Sequence, residues 1–468
     1  MKYTAIILLI GVLLAGCSRE QVTADRVHHD LEQIMEKGTL TAITSYSPTS
    51  YFIYRGEPMG YEYELLKRLT THLNLDLEII VARDLDEMMD MLNRGEGDLI
   101  AYNLTVTSDR HEHVRFTSPL NITRQVLVQR KPENWRQMRL HEIEATLIRN
   151  PLELDETTIV VRKGSSYVPR LNNLAEEIGG TIEVTEADGE VTTEELIRQV
   201  AEGELDLTVA DENIARLNQS YYPVLDVDTP LSMPQQTAWA VRHGSDDLYY
   251  AIEEWLVTMQ EGVDFYVIYN KYFENRGAFR TRISSDYLAT ISGKLSPYDE
   301  IIQKEAASLN WDWRLIASLI YQESQFNPDA RSWSGATGLM QLMPRTARAY
   351  GAENPNDPEQ NIRAGIAFMQ WLDGYWIDII TDDEERKKFV LASYNVGQGH
   401  VQDARRLAEK FGDDPDSWGV VAEYLIKKED EEYYNDEVVR HGYCRGTEPV
   451  NYVDNIMYLY GHYSRIIG

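Results

Sequence analysis

Cysteine is almost absent from this chain, with only Cys17 and Cys444 among 468 residues. That excludes a disulfide framework and any cysteine-rich zinc module. Basic charge is also scarce: 45 Lys and Arg face 76 Asp and Glu, for a formal charge of -31. A chain of that sign is not held on nucleic acid by neutralising phosphates, nor on an anionic membrane surface by basic residues. Beyond the first 16 residues no stretch approaches the roughly 18 uninterrupted apolar positions of a membrane span. Aromatic residues, in contrast, are plentiful. With 29 Tyr and 9 Trp in a chain 43% hydrophobic, the acidity lies on folded domains and not on a disordered acidic polymer. Length alone sets a prior of roughly three folding units.

The N-terminus has the layout of a secretory leader over residues 1–16. Lys2 precedes an apolar run from Ile6 to Leu14, and small residues follow. Leu14-Ala15-Gly16-Cys17 resembles the bacterial lipobox. The resemblance implies cleavage before Cys17, a diacylglycerol on its thiol and, with Ser18 in place of Asp, an address at the periplasmic face of the outer membrane. An ordinary secreted protein with an accidental Cys17 is the alternative. Residues 17–37 then form the acylated cysteine and a polar tether.

From Gly38 strands and helices alternate. Thr39–Ser45 and Leu75–Val81 have strand character around an amphipathic helix over Tyr61–Leu73, and Asp98–Ala101 reads as a buried strand after the Leu85–Leu92 helix. A second unit repeats the rhythm from Thr158 to Ala210 without residue-level similarity to the first. Ala238–Arg242 returns as a strand and helices to Phe273 close the unit, which implies parallel α/β sheets. Residues 274–296 read as a linker. From 297 to 468 helical periods dominate.

Gly60-Tyr61-Glu62-Tyr63-Glu64, Gly97-Asp98-Leu99-Ile100 followed by Thr107-Ser108-Asp109-Arg110, and Phe116-Thr117-Ser118-Pro119 occur in order. Residues 38–273 thereby resemble a periplasmic solute-binding domain of the amino-acid-binding family 3, which implies a two-lobed α/β fold. Arg110 offers a planar fork for a ligand carboxylate. Ser165 and Ser166, at a helix start, offer hydroxyls and amides to the same anion, and Asp211 offers a carboxylate to an ammonium group. Pairing of Arg110 with Asp109 or Glu112 on a surface turn is the bland alternative. Ser108-Asp109 departs from the family's proline-glutamate, so free amino-acid transport is not implied. A small molecule carrying both a carboxylate and an ammonium group is the expected ligand.

In the C-terminal region an apolar helical stripe from Trp311 to Gln322 runs into Glu323. Ser324-Gln325-Phe326-Asn327-Pro328 and Gly338-Leu339-Met340-Gln341 follow. A carboxylate at the junction of an apolar helix and a glycine-rich loop is partly desolvated, which raises its pKa and suits it to donate a proton. This string, with Ser393-Tyr394-Asn395-Val396-Gly397 and Glu448-Pro449-Val450-Asn451-Tyr452-Val453, closely resembles the soluble-lytic-transglycosylase domain. That resemblance implies a mainly α, goose-lysozyme-like fold acting on peptidoglycan. Glu323 would be the catalytic acid and then base. Ser324 and Gln341 would orient the sugar, Met340 would form an apolar wall, and Tyr394, Asn395 and Tyr452 would surround the acid. Ser393 stands where alanine is usual, and Pro449 where threonine is. A neighbour that cuts peptidoglycan makes muropeptides, stem peptides or amino acids released from the wall the expected ligands of the α/β domain.

No metal or cofactor is implied. His111-Glu112-His113 lacks distant partners at ligand spacing, and His441 with Cys444 is insufficient for zinc. Two other functions fit the same domains: a solute receptor whose C-terminal domain only grips the wall, and a hydrolytic lysozyme in which water attacks instead of the muramoyl hydroxyl.

Overall fold

The computed structural model describes residues 29–467. The leader, Cys17 and the first part of the tether lie outside them. The end of the tether is already folded: a helix over Leu31–Lys37 is closed by a capping box between Asp30 and Gln33 and ends at Gly38 in the left-handed region (φ 75°). It buries Ile34 against the first lobe.

Lobe one contains β1 (Thr39–Thr44), a hairpin of β2 (Phe52–Tyr54) and β3 (Glu57–Met59), β4 (Asp76–Val81), β5 (Leu99–Thr105), β6 (Val114–Phe116) and β7 (Asn121–Thr123). Lobe two contains β8 (Gln125–Arg130), β9 (Thr157–Val161), β10 (Ile182–Glu186), β11 (Leu207–Asp211) and β12 (Leu225–Pro230). The chain then returns to lobe one as β13 (Gln235–Arg242). The first sheet runs β4-β1-β5-β13-β6, with β7 also on β13, and the second runs β10-β9-β11-β8-β12. In each, the strands joined by helical crossovers are parallel and the returning strands antiparallel. The lobes are tied where the chain crosses between them: the buried Gln125 amide donates to Gln235 Oε1 at 3.0 Å.

From Asp299 onward every regular element among the described residues is a helix, apart from isolated bridges at Arg331, Thr337 and Leu342. The helix Trp313–Ser324 packs its Leu315, Ile316, Leu319 and Ile320 into one core with the helices Pro358–Trp376, Asp383–Val396 and Thr447–Ile466. Ser393 is explained by this core, because its hydroxyl accepts the indole N–H of the fully buried Trp376 at 2.9 Å, a donor that alanine would leave unpaired.

Two features depart from the sequence reading. The linker over residues 274–296 itself holds helices, at Arg276–Ile283 and Ala289–Ser292, with Phe279, Leu288 and Leu295 fully buried. The β2–β3 hairpin is the other: Phe52 stays in the core of lobe one, but the opposite face and the turn reach out of it. Its turn, Arg55-Gly56, has φ of 52° and 81°, the paired positive values that a tight two-residue hairpin demands. Ile53 on β2 is part of the C-terminal core. The turn seats against Tyr321, Phe326 and Tyr463, where a Cβ on Gly56 would lie 2.7 Å from both Tyr321 and Phe326. Tyr463 donates its hydroxyl to the Gly56 carbonyl at 2.6 Å. The linker closes over the same hairpin, with Arg55 N–H donating to Tyr287 O at 2.9 Å.

Candidate active site

Glu323 occupies the last turn of the Trp313–Ser324 helix. Asp312 caps the start of that helix by accepting from Arg314 N–H at 2.9 Å. Its end is abrupt: Gln325 and Phe326 both have positive φ, 52° and 60°. Two successive non-glycine residues in that region carry about 1–3 kcal/mol of strain each and persist only where surroundings enforce them. Phe326 is buried against Tyr321 and the hairpin turn, which supplies that enforcement.

The Glu323 side chain is half-buried. Burial pushes its carboxyl up to about 7, against a hydrogen bond donated by Tyr452 at 2.6 Å that holds it down. Tyr452 comes from the Thr447–Ile466 helix and is itself buried. Tyr394, in the last turn of the Asp383–Val396 helix, donates to the Met340 carbonyl at 2.7 Å. Burial, and then the nearby charge of Glu323, push both phenols well above their ordinary value. Both hydroxyls therefore stay protonated as donors beside the acid.

The Gly338-Leu339-Met340-Gln341 segment is held from below by Asn361, a fully buried residue the sequence reading missed. Its Oδ1 accepts from Met340 N–H at 2.7 Å, while its amide donates to Thr337 O at 3.1 Å and Pro355 O at 2.8 Å. Gly338 (φ 82°) lies so close that a Cβ would sit 2.2 Å from the Asn361 amide. One helical turn on, Gly365 makes room for Met340, whose sulfur would meet a Cβ there at 2.2 Å. An Asn and a Gly four apart in an apolar helix were the available signal.

The structure thus brings Glu323, Tyr394, Tyr452 and the Met340 backbone together. The other expected residues sit differently. Met340 is fully buried, so its side chain is a floor beneath the loop and not an exposed wall. Gln341 spends its amide N–H groups on Ala330 O at 3.0 Å and Gly338 O at 2.9 Å, bracing the loop at its own positive φ of 46°. Ser324 is buried and donates back to Ile320 O at 3.1 Å, so its hydroxyl serves the helix. Asn395 is exposed beside Tyr394.

In the α/β half, Arg110, Ser165, Ser166 and Asp211 line one cleft between the lobes. Arg110 is buried and is not paired with Asp109 or Glu112. Its fork donates to Thr105 O of lobe one at 3.0 Å and to Gly164 O of lobe two at 2.9 Å. Ser166 donates to Thr105 Oγ1 at 3.0 Å. The Ser165 hydroxyl and Asp211 Oδ1 are buried without partners, and burial pushes the Asp211 carboxyl up to about 7 although Arg110 opposes it. Missed by the sequence reading is Arg162, also lining the cleft, which donates to the Tyr102 hydroxyl at 2.6 Å and to Ser45 Oγ at 2.8 Å. The cleft is closed around a cavity of about 30 Å³, room for a water or two.

A family model described as "Transglycosylase SLT domain" matches residues 300–416, and one described as "Bacterial extracellular solute-binding proteins, family 3" matches residues 39–275. A Desulfosudis oleivorans protein named membrane-bound lytic murein transglycosylase F is 36% identical over 444 residues, 93% of this chain and 92% of its own length. The chain belongs to the lytic murein transglycosylase F family. A Photobacterium profundum protein of the same name is 35% identical over 461 residues, 98% of this chain and 85% of its own. Among solved structures, holo ArgBP from T. maritima aligns with 52% of this chain and 99% of that one, at 23% identity and a TM-score of 0.42. Like the family it belongs to, the chain joins a two-lobed solute-binding half to a mainly helical transglycosylase half. No helix among the described residues is long and apolar enough to cross a membrane.

The Tyr452 contact generates a pH prediction. Because that hydrogen bond favours the carboxylate, Tyr452→Phe should raise the Glu323 pKa further. The limb of the pH–rate profile that reports Glu323 should move to higher pH. Turnover at pH 7 should fall roughly tenfold, the scale of one hydrogen bond to a charged group. A profile superimposable on wild type would detach Tyr452 from the acid.

Proposed function

We propose that Glu323 is the single acid–base group with which this peptidoglycan lytic transglycosylase cuts the β-1,4 bond between N-acetylmuramic acid and N-acetylglucosamine. The observation that carries the reading is a half-buried carboxyl raised to about 7, whose hydrogen-bond partner is a phenol. Hydrolysis by the usual two-carboxylate route needs a second acid across the bond, and among the described residues no other carboxylate's charge bears on the proton affinity of Glu323. Protonated Glu323 gives its proton to the glycosidic oxygen and the C1–O bond breaks. The resulting carboxylate, steadied by Tyr452, takes the proton from the muramoyl 6-hydroxyl as that oxygen bonds to C1. The product is a 1,6-anhydro end, no water is consumed, and the acid is regenerated. A pKa near 7 serves both halves of this cycle. Tyr394 and Asn395 border the site, while Gln341 and Met340 act by fixing its loop.

Residues 38–273 then serve as a regulatory, non-catalytic receptor for a wall-derived peptide or amino acid. Arg110 and Ser165 face its carboxylate and Asp211 its ammonium group, with residues 274–296 joining this unit to the catalytic domain at 297–468. Unpartnered Ser165 and Asp211 support the reading, since buried polar atoms left without partners are costly unless a ligand or water completes them. Through Cys17 the mature chain would be acylated and anchored at the periplasmic face of the outer membrane.

Three outcomes are expected. Glu323→Gln should lower release of anhydro-muropeptides, followed by mass spectrometry, at least about 10²- to 10⁴-fold while the fold persists. A folded variant with near-normal release would remove the assignment, and wild-type products heavier by one water would make the enzyme a hydrolase. Calorimetry with muropeptides should show binding to wild type and its loss, by roughly tenfold or more, in Arg110→Ala. Binding that never alters digestion rate would leave the receptor as a targeting module. Cys17→Ala should abolish acylation and release the protein from the outer-membrane fraction; unchanged fractionation would assign the anchor to another contact.

A further inference from the structure

The helix that supports the active-site loop carries more than that task needs. Asn361 and Gly365 of the Pro358–Trp376 helix face the loop, and continuing outward in steps of three or four residues the same side presents Phe368, Trp371 and Tyr375. Phe368 lies 5.3 Å, centroid to centroid, from Tyr394, which sits beside the acid. Trp371 stacks on Phe368 at 6.1 Å with only 15° between the planes, and Tyr375 follows at 6.4 Å and 32°. The rings therefore form a continuous row that starts at the catalytic cluster and runs away from it.

Folding does not account for the outer half of the ridge. Trp371 is 47% exposed and Tyr375 38%, although large apolar side chains on one surface normally mark a binding site. Their backing is rigid: Tyr375 meets the fully buried Trp376 edge-on at 5.0 Å, and Trp376 is fixed in turn by Ser393. A formal charge of -31 on the chain disfavours an anionic lipid surface as the occupant. The substrate, in contrast, is a polymer whose sugar rings present apolar C–H faces, and a strand held at Glu323 extends beyond the bond being cut, where the row begins beside Tyr394.

We propose that Phe368, Trp371 and Tyr375 are a docking platform for the glycan strand beyond the bond being cut, stacking on successive sugar faces and favouring long strands over short ones. This rests on the transglycosylase reading and adds a specificity that reading does not contain.

The test compares full-length wild type with the Trp371→Ala/Tyr375→Ala double variant on intact sacculi and on the shortest soluble glycan fragments the wild type cleaves. The double variant is expected to raise KM on long strands about tenfold relative to KM on short fragments, the scale of two lost aromatic contacts. Trp371→Phe/Tyr375→Phe should restore the ratio. Equal changes on both substrates, or no change on either, would overturn the platform. So would loss of binding to phospholipid vesicles with sacculus binding retained, which would make the ridge a membrane contact. Absence of anhydro products from the wild type would instead strike the underlying reading, leaving the two failures distinguishable.

Discussion

A missing side chain holds the two halves of this molecule together. Only glycine at position 56 lets the hairpin turn approach Tyr321 and Phe326 closely enough for Tyr463 to bond its carbonyl. Tyr321 is two residues before Glu323 and Phe326 three after it, so the seat clamps both sides of the acid's helix end. The strained Gln325-Phe326 turn is thereby set by a strand pair from the other domain. Burying Ile53 in the C-terminal core adds about 1.5–3 kcal/mol of apolar stabilisation to the same contact.

The clamp has an electrostatic consequence. A carboxyl raised from 4.5 to about 7 binds its proton more tightly in the folded state. Folding therefore loses stability as pH rises from about 4.5 to 7, by on the order of 1.4 kcal/mol per unit. Other packing must offset that loss, and the Thr447–Ile466 helix provides much of it. Near its start Tyr452 bonds the acid. Near its end Tyr458 shares a 3.1 Å hydrogen bond with Tyr63, His462 bonds the Tyr51 hydroxyl, and Arg465 reaches the Ile79 carbonyl. Burial drives His462 down to about 3, so it is neutral in that contact across the working range of pH.

Much of this was legible in the sequence. Short apolar runs and helical patterns placed β1, β4, β9, β13 and the helices between them to within a few residues, because β1 and β13 are buried almost throughout and the helices bury one face locally. The acid stood out because an apolar helix ran into Glu323 before a Pro and a glycine-rich loop. What stayed hidden depends on distant partners. Nothing in Phe52–Met59 says that the hairpin reaches out of its lobe, nothing in Gln341 says that its amide is spent on its own loop, and Asn361 reads as an ordinary polar interruption until Met340 N–H is found above it. The helices within the linker went unread because Phe279, Leu288 and Leu295 are too sparse to show a period, yet all three are fully buried.

The same contacts decide which parts of the molecule move together. Lobe one is bound to the catalytic half through the hairpin seat, the Tyr51, Tyr63 and Ile79 contacts and the packed linker. Lobe two meets the linker, where the helix Arg276–Ile283 packs on the helix Glu212–Tyr221, but among the described residues no hydrogen bond or ion pair joins 125–230 to 297–467. Between them lies a cleft of about 870 Å³, with Glu190, Thr192 and Arg198 on one side and Arg465 and Ile466 on the other. The lobes are held together where Arg110 bridges Thr105 and Gly164, and a hinge at that point would act on this cleft before it acted on the hairpin seat. A hinge motion of this kind concentrates its displacement where contacts are fewest. Any free energy that a ligand in the lobe cleft transmits to Glu323 must pass through lobe one and its hairpin, the packed route, or through the Arg465 end of the Thr447–Ile466 helix that also carries Tyr452. Both routes end on the groups that set the proton affinity of the acid, so such coupling would appear in its pH dependence as well as in substrate binding.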